Sequence, residues 1–303
     1  MGRYVFKRIL LALVSIFIIC LITFFAMNAI PGGPFNSEKA LSAATKAALE
    51  ARYNLDKPVH IQFILYMRNL LHGDFGVSLK TGREISTTLS SCFKVSARLG
   101  LTAAVFAIIF GIILGALAAL FRNRWPDRII VFFTTLFTAM PSFVFATLLL
   151  LVFCIELKVL PVFDASSRSY ILPVIALMAY PMAYVTRLTK TSMLDALNQD
   201  YVRTARAKGV PMVSVIFKHA LRNALIPVIT YVGPMLAYIL TGSLVVENIF
   251  TIGGLGQQFV KAISNRDYPL IMATTIFLAV VMVICNLLSD IAYKIVDPRI
   301  TLD

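Results

Sequence analysis

Charge is what this sequence has least of. Of its 303 residues only 14% are charged, against 59% hydrophobic, where a soluble globular domain is nearer a quarter charged. A chain this long and this oily is too large for a signal or an anchor, and the class it defines is a polytopic membrane protein. Paired cysteine is missing as well. Cys20, Cys92, Cys154 and Cys285 lie far apart, form no CxxC, and mostly fall in apolar runs where a thiol is a small hydrophobe. Neither a disulfide framework nor a zinc site is supported. His60, His72 and His219 all fall outside the apolar runs, so an intramembrane enzyme has no buried histidine to use. Glu156 and Asp290 sit near span ends, and ionisable groups deep in a span are what proton relays and ion sites require. Their scarcity argues against a proton-coupled carrier, and against a self-contained channel with a charged filter.

What charge there is leans one way. The formal net charge is +13, a balance that in a soluble chain suggests nucleic acid. In a membrane protein the same excess belongs to the cytoplasmic loops, so no nucleic-acid partner is expected.

A helix needs about 20 apolar residues to cross the hydrocarbon core. Five runs qualify: Ile9–Ile30, Leu99–Phe121, Ile129–Ile155, Ala224–Val246 and Pro269–Tyr293. A sixth, Ile171–Thr186, is short and carries Pro173 and Pro181. Charge decides its fate. The basic loops are Met1–Arg8, Arg122–Arg128 and Arg187–Asn223, the last with Arg187, Lys190, Arg203, Arg206, Lys208, Lys218 and Arg222. The alternate short loops, Glu156–Tyr170 and Glu247–Tyr268, hold only Lys158, Arg168, Lys261 and Arg266. Positive loops stay inside, and both middle basic loops can be inside only if two spans separate them. The expected fold is therefore all-α, with six transmembrane helices and both termini cytoplasmic, forming a single transmembrane domain over 1–303.

Arg3, Lys7 and Arg8 ahead of an apolar run imitate a signal peptide, but the run exceeds the 7–15 residues of a signal core and no clean small-x-small site follows. A retained first span is expected. The long outer loop, residues 31–98, is expected to hold short helices. Leu41, Ala44, Ala48 and Leu49 recur at helical spacing in Ser37–Tyr53, as do Phe63, Tyr66, Met67 and Leu70 in Pro58–His72. Gly73-Asp-Phe-Gly76 then reads as a turn.

Two rows of small residues mark the spans. Ala103, Ala107, Gly111, Gly115 and Ala119 recur every fourth residue, a stripe that lets helix backbones approach closely. Thr134, Thr138, Ser142 and Ala146 form a second row, which serves either packing or a polar translocation path. Prolines 141, 173, 181, 227 and 234 interrupt the spans, as is ordinary in membrane helices.

The loop over 187–223 has more structure than orientation demands. Asp195–Lys208 reads as a helix with Ala196, Leu197, Tyr201 and Ala205 at one-turn spacings. Gly209 suits its C-terminal cap, and Pro211 suits the first turn of another helix. That second segment carries Val213, Ile216, Phe217, Ala220 and Leu221. Helix, Gly-Val-Pro corner and helix fit anionic membrane lipid or a cytoplasmic protein partner equally well.

Here the sequence resembles a known family. Asp200, Tyr201 and Arg203-Thr-Ala-Arg-Ala-Lys-Gly209, followed by His219-Ala-Leu-Arg-Asn-Ala-Leu-Ile-Pro227, resemble the cytoplasmic loop of ABC importer membrane subunits. The match is to the dipeptide/oligopeptide/nickel branch. Relative to the general loop motif, Arg203 stands where an acid is expected and Pro227 comes later than the usual proline. Other stretches similar to this branch run the length of the chain. They are Pro31-Gly-Gly-Pro-Phe35, Gly73-Asp-Phe-Gly76, Leu160-Pro161, Thr241-Gly-Ser243, Glu247-Asn-Ile-Phe250, Gly254-Leu-Gly-Gln257, Asn265-Arg-Asp-Tyr268 and Asp297-Pro-Arg299. The nearest resemblance is to the first of the two membrane subunits of an oligopeptide permease.

The resemblance implies a type I ABC importer permease fold and a pore-forming, non-catalytic role in peptide uptake. Import of nickel, glutathione or another small solute is the alternative within the branch. It implies that Tyr201, Arg203, Thr204, Ala205, Arg206, Lys208, Gly209 and Val210 form a coupling helix and corner docked on an ATPase. No G-x4-GK-[ST] occurs in the chain, so ATP and magnesium would be held by two partner ATPase subunits. A paralogous second permease subunit and an extracytoplasmic binding protein complete the implied assembly. Thr134, Thr138 and Ser142 are the candidate path residues.

Overall fold

The computed structural model describes residues 2–29, 54–163, 167 and 169–296, with backbone alone at 2–5, 241–242 and 290–296. The Pro31–Phe35 motif, the helix expected over Ser37–Tyr53 and the Asp297–Arg299 tail motif lie outside the described residues. Among the described residues the only β pairing is a bridge of Val77 with Glu84; everything else regular is helical. The helices are α1 (Gly2–Ala29), α2 (Val59–Leu71), α3 (Ile85–Leu120), α4 (Trp125–Ala139), α5 (Ser142–Leu150), α6 (Ile171–Leu197), α7 (Asp200–Ala207), α8 (Ile226–Gly242), α9 (Leu244–Ile249), α10 (Leu255–Ser264) and α11 (Tyr268–Val296). A π-helical turn, Leu151–Glu156, extends α5, and a second, Val215–Leu221, lies between α7 and α8.

Five stretches are long and apolar enough to cross a membrane: Phe6–Ala29, Ile85–Leu120, Ile171–Leu197, Ile226–Ile249 and Tyr268–Ser289. A sixth exists if α4 and α5 with its π turn count as one bent span. The short sixth run of the sequence is thus a full helix, continuous through Pro181. The run expected as one span over Ile129–Ile155 is instead broken, with its two halves bent by 106°. The cause is Pro141: it forces Met140 into extended backbone (φ −83°, ψ 127°) and has no N–H to continue the ladder.

The chain falls into two compact units, Met1–Val95 with Gly253–Val281, and Ser96–Ile252 with Met282–Asp303. In the first, α2 packs on α1 through aromatic side chains, with Phe63 against Phe24 at 5.3 Å and against Phe17 at 6.2 Å. Phe63, Tyr66, Met67 and Leu70 all pack on its core. Gly73 (φ +76°) and Gly76 (φ +75°) supply left-handed backbone for the expected turn, and the Asp74 carboxylate accepts the Gly76 N–H. Buried Asp267 accepts the Ser78 hydroxyl and the Leu79 N–H, fastening this loop beside α11.

In the second unit, the five small residues of the α3 stripe are all buried. A Cβ on Gly111 would sit 2.7 Å from Val185, and one on Gly115 would sit 2.6 Å from the Thr186 carbonyl oxygen. The stripe is therefore a seat for α6. Asp127, in the first turn of α4, takes a hydrogen-bonded ion pair from Lys190 of α6 and accepts the Asn123 N–H. Glu247 on α9 is fully buried and accepts hydrogen bonds from Ser96 on α3 and Ser243, each 2.6 Å. Reading it as the first residue of an outer loop missed this burial, because only the fold brings Ser96 to it.

Candidate functional site

The expected helix Asp195–Lys208 is two helices. α6 ends at Leu197, where the Asn198 side chain hydrogen-bonds the Leu194 carbonyl, a local bond that competes with continued helix. Gln199 is extended (φ −74°, ψ 152°), and Asp200 opens α7 with its acid at the positive end of the helix dipole.

The far end of α7 closes as the sequence requires. Gly209 takes φ +73°, its N–H donates to the Arg206 carbonyl, and the Val210 N–H reaches back to the Ala205 carbonyl. These two bonds form a Schellman cap, and Val210 makes the apolar contact that accompanies one: it packs on buried Val202, Ala205 and Val215. Ala205 and Val210 thus hold the corner together from within. Tyr201, Arg203, Thr204, Arg206, Lys208 and Gly209 are exposed around it. Arg203 faces Asp200 at 3.4 Å in a pair that is solvent-exposed on both sides, a geometry worth a few tenths of a kcal/mol.

Past the corner the helix is not the simple amphipathic one that the spacing suggested. The π turn over Val215–Leu221 resets the periodicity, since i→i+5 bonding widens the turn. Val215 and Ala220 point inward, while Met212, Val213 and Phe217 are left at 51%, 67% and 64% exposure. Of the apolar residues that the sequence places in this segment, Val213 and Phe217 are thus exposed and Ala220 is buried. The corner presents an apolar patch beside Arg203, Arg206 and Lys208.

The candidate path residues divide. Thr134 is buried and donates to the Val131 carbonyl within α4. Thr138 and Ser142 line a cavity of about 240 Å³ at the α4–α5 bend, together with Phe137, Pro141, Tyr180 and Tyr238. In the other unit, a cavity of about 250 Å³ is lined by Asn28, Gln62, Tyr66, Asp74 and Tyr268 among others. Tyr66 has a buried hydroxyl without a partner, and burial pushes its pKa up.

Membrane-crossing helices, a kinked polar-lined cavity and a capped basic corner define the class of a transporter's multi-pass membrane subunit. The chain belongs to the family of binding-protein-dependent transport system inner membrane components, whose profile matches residues 111–302, with the family's N-terminal profile matching 1–109. It is 45% identical to the dipeptide transport system permease protein DppB of Bacillus subtilis, over 100% of this chain and 99% of that one. It is 43% identical to the oligopeptide transport system permease protein OppB of Haemophilus influenzae, over 99% of each. A solved structure, an amino acid ABC transporter with histidines, shares the fold at TM-score 0.54 and 15% identity, covering 71% of this chain and 95% of that one. The chain is thus an inner-membrane permease subunit of the ABC importer type.

Proposed function

We propose that this chain forms part of the pore of an ATP-driven importer that takes up dipeptides and oligopeptides delivered by an extracytoplasmic binding protein. It acts as one permease domain beside a paralogous membrane subunit, and two ATPase subunits hold ATP and magnesium. The peptide class rests on full-length similarity to dipeptide and oligopeptide permeases.

The observation that carries the coupling role is the corner at Gly209. A short helix locked by a Schellman cap is stiff, and its exposed face joins three basic side chains to Tyr201, Met212, Val213 and Phe217. Such a surface suits a cleft with acidic and apolar walls. Stiffness lets a closing ATPase pair turn the spans as rigid bodies. Thr138 and Ser142, at the cavity of the bent span, belong to the path; Thr134 supports them from within α4.

Gly209→Ile tests this reading. A β-branched residue in left-handed backbone costs at least about 1–2 kcal/mol, which unlocks the corner without touching the spans. The complex reconstituted in proteoliposomes is expected to hydrolyse ATP with peptide uptake reduced at least ten-fold. Uptake at the wild-type rate would sink the docking assignment.

A further inference from the structure

The cavity in the first unit has a chemistry that neither the motifs nor the coupling corner uses. Every residue lining it belongs to that unit. Phe24 and Asn28 come from the last two turns of α1, Gln62 and Tyr66 from α2, Asp74 from the turn after α2, and Tyr268 from the start of α11. These are the ends of α1 and α11 that the loop charges place outside. The volume of about 250 Å³ lies below the roughly 300–1,000 Å³ of cavities that enclose drug-sized ligands. The occupant it fits is a small one.

Its polar groups are mostly acceptors. The Gln62 amide nitrogen donates to two backbone carbonyls, those of Leu55 at 3.2 Å and Lys57 at 2.8 Å. Both of its N–H bonds are thereby used, and the side-chain oxygen is left over. The Asn28 amide nitrogen donates to the Phe24 carbonyl at 2.9 Å, and its oxygen too is left over. Asp74 stands exposed at the mouth and is held from both sides. Its N–H donates to the Asn69 carbonyl, and one oxygen of its carboxylate accepts the Gly76 N–H at 2.8 Å. The second oxygen takes no donor among the described residues. Deeper in lies the Tyr66 hydroxyl, buried without a partner.

That inventory selects a cation. No Lys, Arg or His lines the cavity. An anion would meet the Asp74 carboxylate with no positive group to offset it, and a neutral solute would leave that charge unanswered. An ammonium carries three donors and no acceptor, the complement of two amide oxygens, a carboxylate and a phenol. The remaining walls suit its stem. The rings of Phe24 and Tyr66 lie 6.3 Å apart, centroid to centroid, and Phe75, Tyr268, Met27 and Leu65 complete the lining around them. Aromatic faces attract a cation and pack against an alkyl chain alike.

We propose that this cavity binds a primary alkylammonium group, with Asp74, Gln62, Asn28 and the Tyr66 hydroxyl as acceptors for its N–H bonds and the aromatic rings about its stem. Two sources present such a group at the outer face of the membrane. One is a free amine; the other is the headgroup of an ethanolamine phospholipid, which lies at the depth where α1 ends and α11 begins. The site stands apart from the import reading, because occupying it requires neither ATP nor a transported solute.

The test is isothermal titration of n-butylamine, with n-butanol as its neutral counterpart, into the whole complex in phosphatidylcholine nanodiscs, blanked against empty nanodiscs. Wild type is expected to bind the amine about ten-fold more tightly than the alcohol, since hydrogen bonds to charged groups are the stronger kind. Asp74→Asn keeps an acceptor for the Gly76 N–H and removes the charge. Its affinity for the amine is expected to fall about ten-fold or more, with affinity for the alcohol unchanged. Tyr66→Phe is expected to weaken amine binding about five-fold. Because it removes a buried hydroxyl that has no partner, the unliganded variant should melt no lower than wild type. Repeating the titration with phosphatidylethanolamine in the nanodiscs separates the sources: weakened amine binding identifies the lipid headgroup, and unchanged binding identifies a free amine. A wild-type complex that does not prefer the amine overturns the site, as does an Asp74→Asn variant that binds it as tightly as wild type. Uptake is not part of this readout, so its failure and that of the import reading are told apart.

Discussion

Glu247 shows how far a single carboxyl can depend on its surroundings. It is fully buried at the end of an apolar span, and the hydroxyls of Ser96 and Ser243 donate to one of its oxygens. Removing the acceptor leaves buried donors unsatisfied, at about 1–3 kcal/mol each. Glu247→Ala is therefore expected to lower the thermal stability of the detergent-solubilised subunit, while Glu247→Gln, which keeps a carbonyl acceptor, retains most of it. Equal melting temperatures for the two variants would contradict the proposed role of these bonds. The sequence could not supply this, because Ser96 is brought to Glu247 from another helix. By contrast, Gly209 was legible: a glycine after a helix pattern and two residues before a proline has few other uses. Arg203 lay between these cases. Its oddity as a base in an acid's place was visible, but its exposed pairing with Asp200 was not.

At the scale of elements, the spans were readable because apolar length is a one-dimensional property. Starts, breaks and phases were less so. α3 begins at Ile85, well before the expected Leu99, since its first turns are polar enough to pass for loop. The run over Ile129–Ile155 concealed a right-angle bend, because a proline's presence does not state the angle it makes. The π turn at Val215–Leu221 was invisible to a reading that assumes 3.6 residues per turn, and the exposed face of Phe217 was not legible. Its exposure carries a prediction. Phe217→Asp adds charge to a surface position without opening a core, so the subunit should keep its membrane level and its melting temperature. Co-purification with the ATPase subunits is expected to fall at least ten-fold. Unchanged co-purification would remove Phe217 from the docking patch.

For the whole molecule, the charge asymmetry of the loops predicts an orientation that can be checked directly. In a variant with Cys20, Cys92, Cys154 and Cys285 replaced, Lys208→Cys should react with a membrane-impermeant maleimide only after the cells are opened. Lys261→Cys should react in intact cells whose outer barrier has been made permeable. The reverse pattern would invert the topology and move the basic corner away from any ATPase. A count of six, with the bent pair taken as one span, was legible because two basic loops had to share one side; peptide length and side-chain preference were not, since they depend on side chains that several helices bring together.

The widened turn at Val215–Leu221 has a bearing on how such a subunit can change over time. An extra residue within a helix rotates everything beyond it by about 100° relative to everything before. Placed between the corner and α8, it acts as a phase adjuster: the direction in which the corner's exposed residues face is set apart from the direction in which α8 faces. Substitutions can then reshape one surface while the other keeps its bearing.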